Sequence, residues 1–242
     1  MQVHIFSSEQ AIGRAAAALI QAKVLEKPNC VLGLATGSTP IPTYQSLIEL
    51  NQAGLIDFSG VTTYNLDEYV GLTPDHVCSY RRFMNEQLFD HVNIDKANTH
   101  VPPGNGADPV ADAAEYEAAV QAAHVDLQLL GIGRNGHIGF NEPADVFGYA
   151  TGIVTLTDST IDANTRFFNS RDEVPKCAIS MGIGTIMSAK SVLLIATGEA
   201  KADAIKAAVE GEIDPRVPAS ILRAHPNCIF LLDEAAASKL TK

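Results

Sequence analysis

Residues 125–132 read VDLQLLGI, a mostly apolar run of strand length that leads directly into a glycine-rich segment. Similar runs recur along the chain, with CVLGLA at 30–35, VLLIA at 192–196 and CIFLL at 228–232. Hydrophobic residues in these runs are nearly continuous instead of alternating, which is typical of strands with both faces covered. The pattern therefore predicts a buried, mostly parallel sheet.

Helical stretches separate the predicted strands, and the Ser7–Gln10 spacing is a capping-box pattern that predicts the start of the first helix. The other predicted strands are Val3–Phe6, Val61–Leu66 and Ile153–Leu156, and the predicted helices are Ser8–Glu26, Pro42–Ala53, Ser79–Phe89, Pro109–Ala123 and Ala200–Glu210. This alternation predicts an α/β fold with a doubly wound, mostly parallel sheet and helices on both faces, a Rossmann-like, three-layer arrangement. Because no linker or internal repeat divides the chain, we expect residues 1–242 to form a single domain.

Charge and composition restrict the classes of partner. The chain has 242 residues, 46% of them hydrophobic, and its 17 Lys and Arg against 28 Asp and Glu give a net charge of −11. This composition excludes a disordered, collagen-like or disulfide-stapled protein. A negative field repels nucleic-acid phosphates and anionic lipids, so we expect neither a nucleic-acid nor a membrane partner. A small anionic substrate remains compatible, because a few local donors can bind it.

The chain start, MQVHIFSSEQ, lacks the basic and apolar regions of a secretory signal, and no apolar run approaches membrane-span length. We therefore expect a cytoplasmic protein. The four cysteines, at 30, 78, 177 and 228, lack the close spacing of zinc ligands. We expect buried, reduced thiols and no metal site.

The loop after the second predicted strand carries Thr36, Gly37, Ser38 and Thr39, and a helix follows near Pro42. Glycine allows close approach of an anion, the hydroxyls can donate, and a helix start offers unpaired N–H groups. The nucleotide P-loop pattern is absent, so the loop favours a simple phosphoryl group over ATP. An ordinary helix cap and turn is the alternative interpretation.

Two adjacent carboxylates, Asp67 and Glu68, follow the third predicted strand. Neighbouring side chains of an extended segment point in opposite directions. We expect Asp67 to face a ligand cleft at the strand end, while Glu68 caps a helix or faces water. A plain turn or cap remains the alternative for both.

The glycine-rich segment after residues 125–132 contains G-x-G-x-x-G at 131, 133 and 136. We reject a dinucleotide site, because that fingerprint opens a helix whereas Gly139 and Pro143 follow at once. The segment also brings together Asn135, His137 and Glu142. Histidine, with an ordinary pKa of about 6.5, exchanges protons near neutrality. A neighbouring carboxylate or amide can fix its tautomer. These residues predict a proton-transfer group, with a structural histidine as the alternative.

Together these loops resemble the glucosamine-6-phosphate deaminase family. The most specific stretches are LGLATGSTP at 32–40, NLDEYVGL at 65–72 and LLGIGRNGHIGFNEP at 129–143, reinforced by Thr165-Arg166-Phe167 and Gly198-Glu199-Ala200-Lys201. The resemblance extends from the first strand to the last.

The resemblance implies conversion of glucosamine 6-phosphate and water to fructose 6-phosphate and ammonia, with no metal or organic cofactor. It implies that Asp67 moves a proton from C2 to C1 of the opened sugar. His137 would open the sugar ring, oriented by Glu142 and Asn135. The implied phosphate ligands are Thr36, Gly37, Ser38, Thr39, Arg166 and Lys201.

Three further expectations concern His137, the oligomeric state and the segment around Arg166. Asn135 stands where longer family members have an aspartate, so we expect less stabilisation of an imidazolium at His137. The chain has the length of the short, unregulated members, so a monomer is expected. The polar stretch 157–171, which carries Arg166, would be either a solvated loop or part of a mobile lid.

Two alternative functions differ in what they require. A 6-phosphogluconolactonase-like hydrolase would share the fold and the phosphate loop, but lactone hydrolysis needs no base at C2. A non-catalytic sugar-phosphate sensor of the kind found in transcription regulators would need a DNA-binding appendage, and the first predicted strand already begins at Val3. The deaminase interpretation is therefore favoured.

Overall fold

The structure is a computed structural model that describes residues 1–165 and 168–241. The strands are β1 (Gln2–Phe6), β2 (Val31–Leu34), β3 (Thr62–Asn65), β4 (Asp67–Tyr69), β5 (Thr99–His100), β6 (Leu127–Leu130), β7 (Gly152–Thr155), β8 (Cys177–Ser180), β9 (Val192–Ala196) and β10 (Cys228–Asp233). The α-helices are α1 (Glu9–Glu26), α2 (Ile41–Gln52), α3 (Tyr80–Met84), α4 (Pro109–Ala123), α5 (Asp158–Asn164), α6 (Ile183–Met187) and α7 (Ala202–Glu210). A π-helical turn continues α3, and short 3₁₀ helices occur at Lys96–Asn98, Arg171–Glu173, Glu199–Lys201 and Pro218–Ala224.

Seven strands form a sheet in the order β1-β10-β9-β6-β2-β3-β5, and its paired strands are parallel. From β2 the chain moves outward through β3 to β5, then returns to the other side of β2 as β6. The crevice between the carboxyl ends of β2 and β6 is thus the switch point of the topology, where ligands bind in open α/β sheets. The loops after β2 and β6 meet there.

Both faces of this sheet are covered. Along β9, Leu193 and Ile195 pack into a core with α1 and α2, whereas Val192 and Leu194 pack into a second core with α4 and α7. Successive side chains of a strand point to opposite faces, so an apolar run is needed to fill two cores at once. The predicted three-layer fold is confirmed.

A second sheet was not predicted. Strands β4, β8 and β7 form a three-stranded antiparallel sheet in that order. The predicted strand Ile153–Leu156 therefore belongs, as β7, to this sheet and not to the parallel one. Residues 67–69 were expected to be a loop, but they form β4. The chain leaves the parallel sheet at Leu66, whose N–H donates to Leu34 O and whose carbonyl accepts from Met181.

The helix predictions need two corrections. Helix α1 begins one residue later than expected: the cap is Ser8, whose hydroxyl accepts from the Ala11 N–H at 3.2 Å, and not Ser7. The polar stretch 157–171 is not simply a loop, because it contains α5, capped by Thr157. Ile161 anchors this helix in a small core that includes Tyr69 and Phe140, although the sequence around it has little apolar periodicity.

No cysteine in the described chain forms a disulfide. Cys30 and Cys228 are buried as predicted, whereas Cys78 and Cys177 are partly exposed, contrary to expectation. Within residues 1–165 and 168–241, no helix is both long and apolar enough to cross a membrane.

Candidate active site

The loop after β2 presents backbone donors at the switch point. Within the described residues, the N–H groups of Gly37, Ser38 and Thr39 have no hydrogen-bond acceptor. Gly37 has φ of +91°, and a Cβ there would meet no atom within 4 Å, so the space beside it is open. Pro40, the N-cap of α2, makes no side-chain capping hydrogen bond. The loop and helix start thus offer unpaired donors and a positive dipole end to an anion, and the Thr36–Thr39 phosphate site stays a prediction.

Of the two cations predicted for this site, the structure describes Lys201. Lys201 lies at the N-cap of α7, as expected, and its Nζ donates to the carbonyl of Ile132 at 2.6 Å. It therefore contacts the loop after β6. Arg166, the other predicted phosphate ligand, lies outside the described residues.

Asp67 is a buried carboxylate that accepts no hydrogen bond from the described residues. Its side chain is on β4, the residue is 6% exposed, and no donor in the described chain bonds to its carboxylate. Burial, together with the smaller effect of the neighbouring Glu68 charge, raises the pKa of Asp67 to about 8. A carboxylate with a pKa near neutrality is suited to taking up and returning a proton.

Glu68 points away from Asp67 and caps a helix, one of its two expected placements. Its carboxylate accepts from the backbone N–H groups of Tyr69, Tyr80 and Arg81 at 2.9, 3.0 and 3.0 Å. Tyr80 and Arg81 form the first turn of α3. The two adjacent carboxylates thus have opposite environments, one bonded by three donors and the other by none.

The loop after β6 brings His137 to the same edge of the sheet. No helix follows this glycine-rich loop directly, whereas the dinucleotide fingerprint opens a helix. The loop passes beside Asp67, since a Cβ on Gly139 would lie 3.6 Å from Asp67 Oδ2. The His137 ring lies against the backbone of Gly133, where a Cβ would be 2.4–2.5 Å from three ring atoms. Glycine at 133 is therefore what allows this position of the ring.

Glu142 faces His137 and carries a fixed negative charge. His137 Nδ1 is 3.4 Å from Glu142 Oε1, too long for a well-formed hydrogen bond, and has no closer partner in the described chain. Burial alone would raise the pKa of Glu142, but interaction with His137 and hydrogen bonds from Thr160 and Asn135 lower it to about 2. Glu142 is thus ionised at neutral pH and places a negative charge beside the His137 ring.

In the part of the chain that the structure describes, the Asn135 side chain bonds to the backbone of His137 and not to its ring. Its Nδ2 donates to Glu142 Oε2 at 2.6 Å, and its Oδ1 accepts from the His137 N–H at 3.3 Å. An aspartate at 135 would remove the amide donor from Glu142 and place a second carboxylate beside it. Asn135 therefore acts on the imidazole by holding Glu142 in place.

Two residues of this site were missed by sequence reasoning. Thr160 of α5 donates its hydroxyl to Glu142 Oε1. Ser180 of β8 pairs with Asp67 across the small sheet, and its hydroxyl accepts from the Phe140 N–H at 3.1 Å. Both lie far along the chain from their partners and in no recognisable motif, so no sequence signal marks them.

We expect Gly133→Ala to fold normally but to lose activity. The added methyl occupies the place of the His137 ring, which must rotate away from Glu142, and small misplacements of a catalytic group cost up to about 10²-fold in rate. The measurement is kcat together with the melting temperature, with Gly152→Ala as the control, because a Cβ there meets its nearest atom only at 4.0 Å. Equal kcat in both variants would contradict the assigned position of His137.

Among the described residues, no group of three or more His, Cys, Asp and Glu side chains could hold a metal ion. The predicted residues that the structure brings together are Asp67, Asn135, His137, Glu142 and Lys201, with the Thr36–Thr39 loop on the neighbouring strand.

Comparison with known proteins identifies the family to which this arrangement belongs. Residues 7–230 match the model of the glucosamine-6-phosphate isomerase and 6-phosphogluconolactonase family. The chain belongs to this family. It is 55% identical over 241 residues to the glucosamine-6-phosphate deaminase of Shewanella loihica, covering 99% of this chain and 90% of that one. It is 49% identical to that of Thermoanaerobacter pseudethanolicus, covering 98% and 94%.

Solved structures of family members agree with the fold. A monomeric glucosamine-6-phosphate deaminase superposes with a TM-score of 0.96 at 44% identity, covering 98% of this chain and 99% of that one. The 6-phosphogluconolactonase of Leishmania guyanensis superposes with a TM-score of 0.78 at 20% identity, covering 100% and 99%. The second likeness shows a shared fold alone. The resemblance inferred from the three loops is confirmed.

Proposed function

We propose that the chain converts glucosamine 6-phosphate and water to fructose 6-phosphate and ammonia, as a deaminase of amino-sugar catabolism. The observation that carries the proposal is that Asp67, buried and without a donor among the described residues, lies beside the loop that carries His137 and Glu142. Sequence identity of 55% and 49% to two deaminases, over nearly the whole chain, supports it. Every proposed catalytic and binding role belongs to a residue of the protein, and no metal or organic cofactor is proposed.

Asp67 is proposed as the base that moves the substrate proton. It takes the proton from C2 of the open aldose while the aldehyde oxygen gains the proton that the substrate ammonium group gives up, which leaves an enol-amine. It then returns its proton to C1, which leaves a protonated imine at C2. Water then hydrolyses the imine, so that ammonia leaves and the ketose forms. One base near both carbons is sufficient, and such transfers contribute about 10²–10⁴-fold in rate.

His137 is proposed to open the sugar ring before that step. Ring opening requires proton movement between the ring oxygen and the C1 hydroxyl, which an imidazole performs near neutrality. Glu142, ionised and 3.4 Å from Nδ1, stabilises the protonated form. Asn135 and Thr160 hold the two oxygens of Glu142 in place.

The substrate phosphate is proposed to bind the Thr36–Thr39 loop, Lys201 and Arg166. The unpaired N–H groups and the N-terminus of α2 support an anion site in that loop. A phosphate held there anchors the far end of the sugar. Its binding energy then positions C1 and C2 beside Asp67.

We expect Lys201→Met to raise KM by about 10–100-fold, because a hydrogen bond between a charged group and phosphate contributes about 1.5–3 kcal/mol. The effect on kcat should be smaller, since the cation is distant from the reacting carbons. Steady-state kinetics at pH 7.5 measure both constants. Lys206→Met on the exposed side of α7 is the matched control, and equal KM values in the two variants would remove Lys201 from the phosphate site.

A coupled assay with two substrates tests the proposed function. Purified protein is incubated with glucosamine 6-phosphate and, separately, with 6-phosphogluconolactone, and ammonia, fructose 6-phosphate and lactone loss are measured. We expect equal amounts of ammonia and fructose 6-phosphate and no lactone hydrolysis above the spontaneous rate. Lactone hydrolysis without ammonia would overturn the proposal in favour of a lactonase, and binding without turnover would favour a sensor.

We further propose that the protein acts as a monomer in the cytoplasm. A monomeric state is supported by the 44% identical deaminase, which is monomeric. Sedimentation velocity at micromolar concentration should give a single species near 25.7 kDa. A species of twice that mass or more would contradict the proposed state.

A further inference from the structure

Glu68 is a buried carboxylate that has no part in the proposed reaction. It is 2% exposed and stands beside Asp67 on β4, so the backbone of one strand separates the two carboxylates. Adjacent residues of a strand have Cα atoms about 3.8 Å apart. Such proximity in a buried environment makes each charge sensitive to the other.

The surroundings of the pair are strongly asymmetric. Three backbone N–H groups bond the Glu68 carboxylate, which favours its charged form. Burial raises the pKa of Glu68, and these three donors oppose that rise. The Asp67 carboxylate has no donor in the described chain. Glu68 is therefore the better stabilised anion of the two, and Asp67 is the group that responds by holding its proton.

The other groups around Asp67 do not cancel the Glu68 charge. Tyr69 of β4, Tyr80 of α3 and Tyr116 of α4 feel the Asp67 charge, but their own pKa values are raised and they are neutral near pH 7. Across the cleft, the loop after β6 brings His137 with Glu142.

Arg81 is the cation next to Glu68. It directs its guanidinium to Thr99, where Nη1 donates to the hydroxyl at 2.8 Å and Nη2 to the carbonyl at 2.7 Å. Its positive charge partly offsets Glu68 but forms no salt bridge with it in the described chain. Glu68 is therefore the neighbouring charge that acts on Asp67.

We propose that Glu68 is a positioning residue that makes Asp67 a stronger base, by its negative charge on the opposite side of β4. The inference rests on the proposed function and deepens it, because it identifies Glu68 as the residue that strengthens the base for the C2 proton. Glu68 also fixes the first turn of α3, whose Tyr80 stacks on Phe140 at a centroid distance of 6.2 Å. The charge effect and this structural effect must therefore be separated by experiment.

Two substitutions separate them. Glu68→Gln keeps the shape and an acceptor oxygen but removes the charge, whereas Glu68→Asp keeps the charge but shortens the reach to α3. We expect Glu68→Gln to move the acidic limb of the pH profile of kcat/KM to lower pH by about 0.5–1 unit. Glu68→Asp should leave the limb near its wild-type position even if kcat falls. Glu49→Gln, an exposed change of the same charge, is the control and should not move the limb.

A readout without turnover keeps this inference distinct from the proposed function. The Asp67 carboxyl carbon is titrated by ¹³C NMR in substrate-free protein, with its signal assigned by its loss in Asp67→Asn. A lower Asp67 pKa in Glu68→Gln, with the wild-type value retained in Glu68→Asp, supports the inference even if the substrate assignment fails. An unchanged Asp67 pKa in folded Glu68→Gln would overturn it, whatever the activity.

Discussion

Asp67→Asn is expected to reduce kcat for ammonia release by at least about 10²–10⁴-fold, the usual contribution of a general base. The amide keeps the size of the side chain but cannot accept the C2 proton. Exchange of the C2 hydrogen of glucosamine 6-phosphate with solvent should fall by the same factor, measured by ¹H NMR in D₂O. Asp75→Asn, an exposed change of the same kind, is the control. Full retention of C2 exchange in Asp67→Asn would exclude its role.

The pH dependence of the wild-type enzyme follows from the same group. The base form of Asp67 is the carboxylate, and the pKa of Asp67 in the free protein is raised to about 8. We therefore expect kcat/KM to increase with pH up to about 8. A bound ammonium group beside Asp67 favours the carboxylate, so the acidic limb of kcat should lie at lower pH than that of kcat/KM.

Stability provides an independent check on the Asp67 pKa. A carboxyl whose pKa is raised in the folded state holds its proton more tightly there than when unfolded. Its contribution to stability is present below the unfolded pKa of about 3.9 and is lost as pH rises through about 8. Asp67→Asn should thus gain melting temperature relative to wild type as pH rises from 4 to 8, by about 2–4 °C per kcal/mol. A constant difference would contradict the raised pKa.

His137→Gln is expected to give the second large effect, a reduction of kcat by about 10²-fold or more. Glutamine can bond Glu142 but cannot exchange a proton near neutrality. The loss should occur at ring opening, which is measured as the rate of interconversion of the two anomers by saturation-transfer NMR.

The Asp67→Asn background isolates that step. With the C2 base removed, Asp67→Asn should still accelerate anomer interconversion above the rate in buffer, because His137 and Glu142 are intact. The double variant Asp67→Asn, His137→Gln should lose this acceleration. If the double variant retains it, ring opening belongs to another residue.

The sequence predicted those parts of the molecule that depend on local pattern. Runs such as 192–196 must fill two cores, so their hydrophobicity marked them as central strands. The loops after β2 and β6 were identified because strand ends meet at one edge of the sheet. The pairing of β4 with β8 was missed, since Asp67 and Ser180 are 113 positions apart and the two strands are only three and four residues long.

In the candidate site, too, the residues in local motifs were predicted and those placed by long-range packing were missed. Asp67, Asn135, His137 and Glu142 were selected from short motifs. In the structure Asn135 bonds Glu142 beside the His137 ring, and the loop that carries all three passes beside Asp67. Thr160 was missed because its partner, Glu142, is brought to it only by the packing of α5. The chemical state of Asp67 was also beyond a sequence argument, since its pKa depends on burial and on the absence of a donor in the described chain.

The fate of the C2 hydrogen tests the central claim most directly. Wild-type protein is given glucosamine 6-phosphate deuterated at C2 in H₂O, and unlabelled substrate in D₂O, and the fructose 6-phosphate is analysed by NMR. A single base working on one side of the sugar predicts that deuterium from C2 or from solvent enters only one of the two C1 positions. Two results would contradict proton transfer by Asp67. One is label in both C1 positions, and the other is the absence of label from fructose 6-phosphate in both experiments.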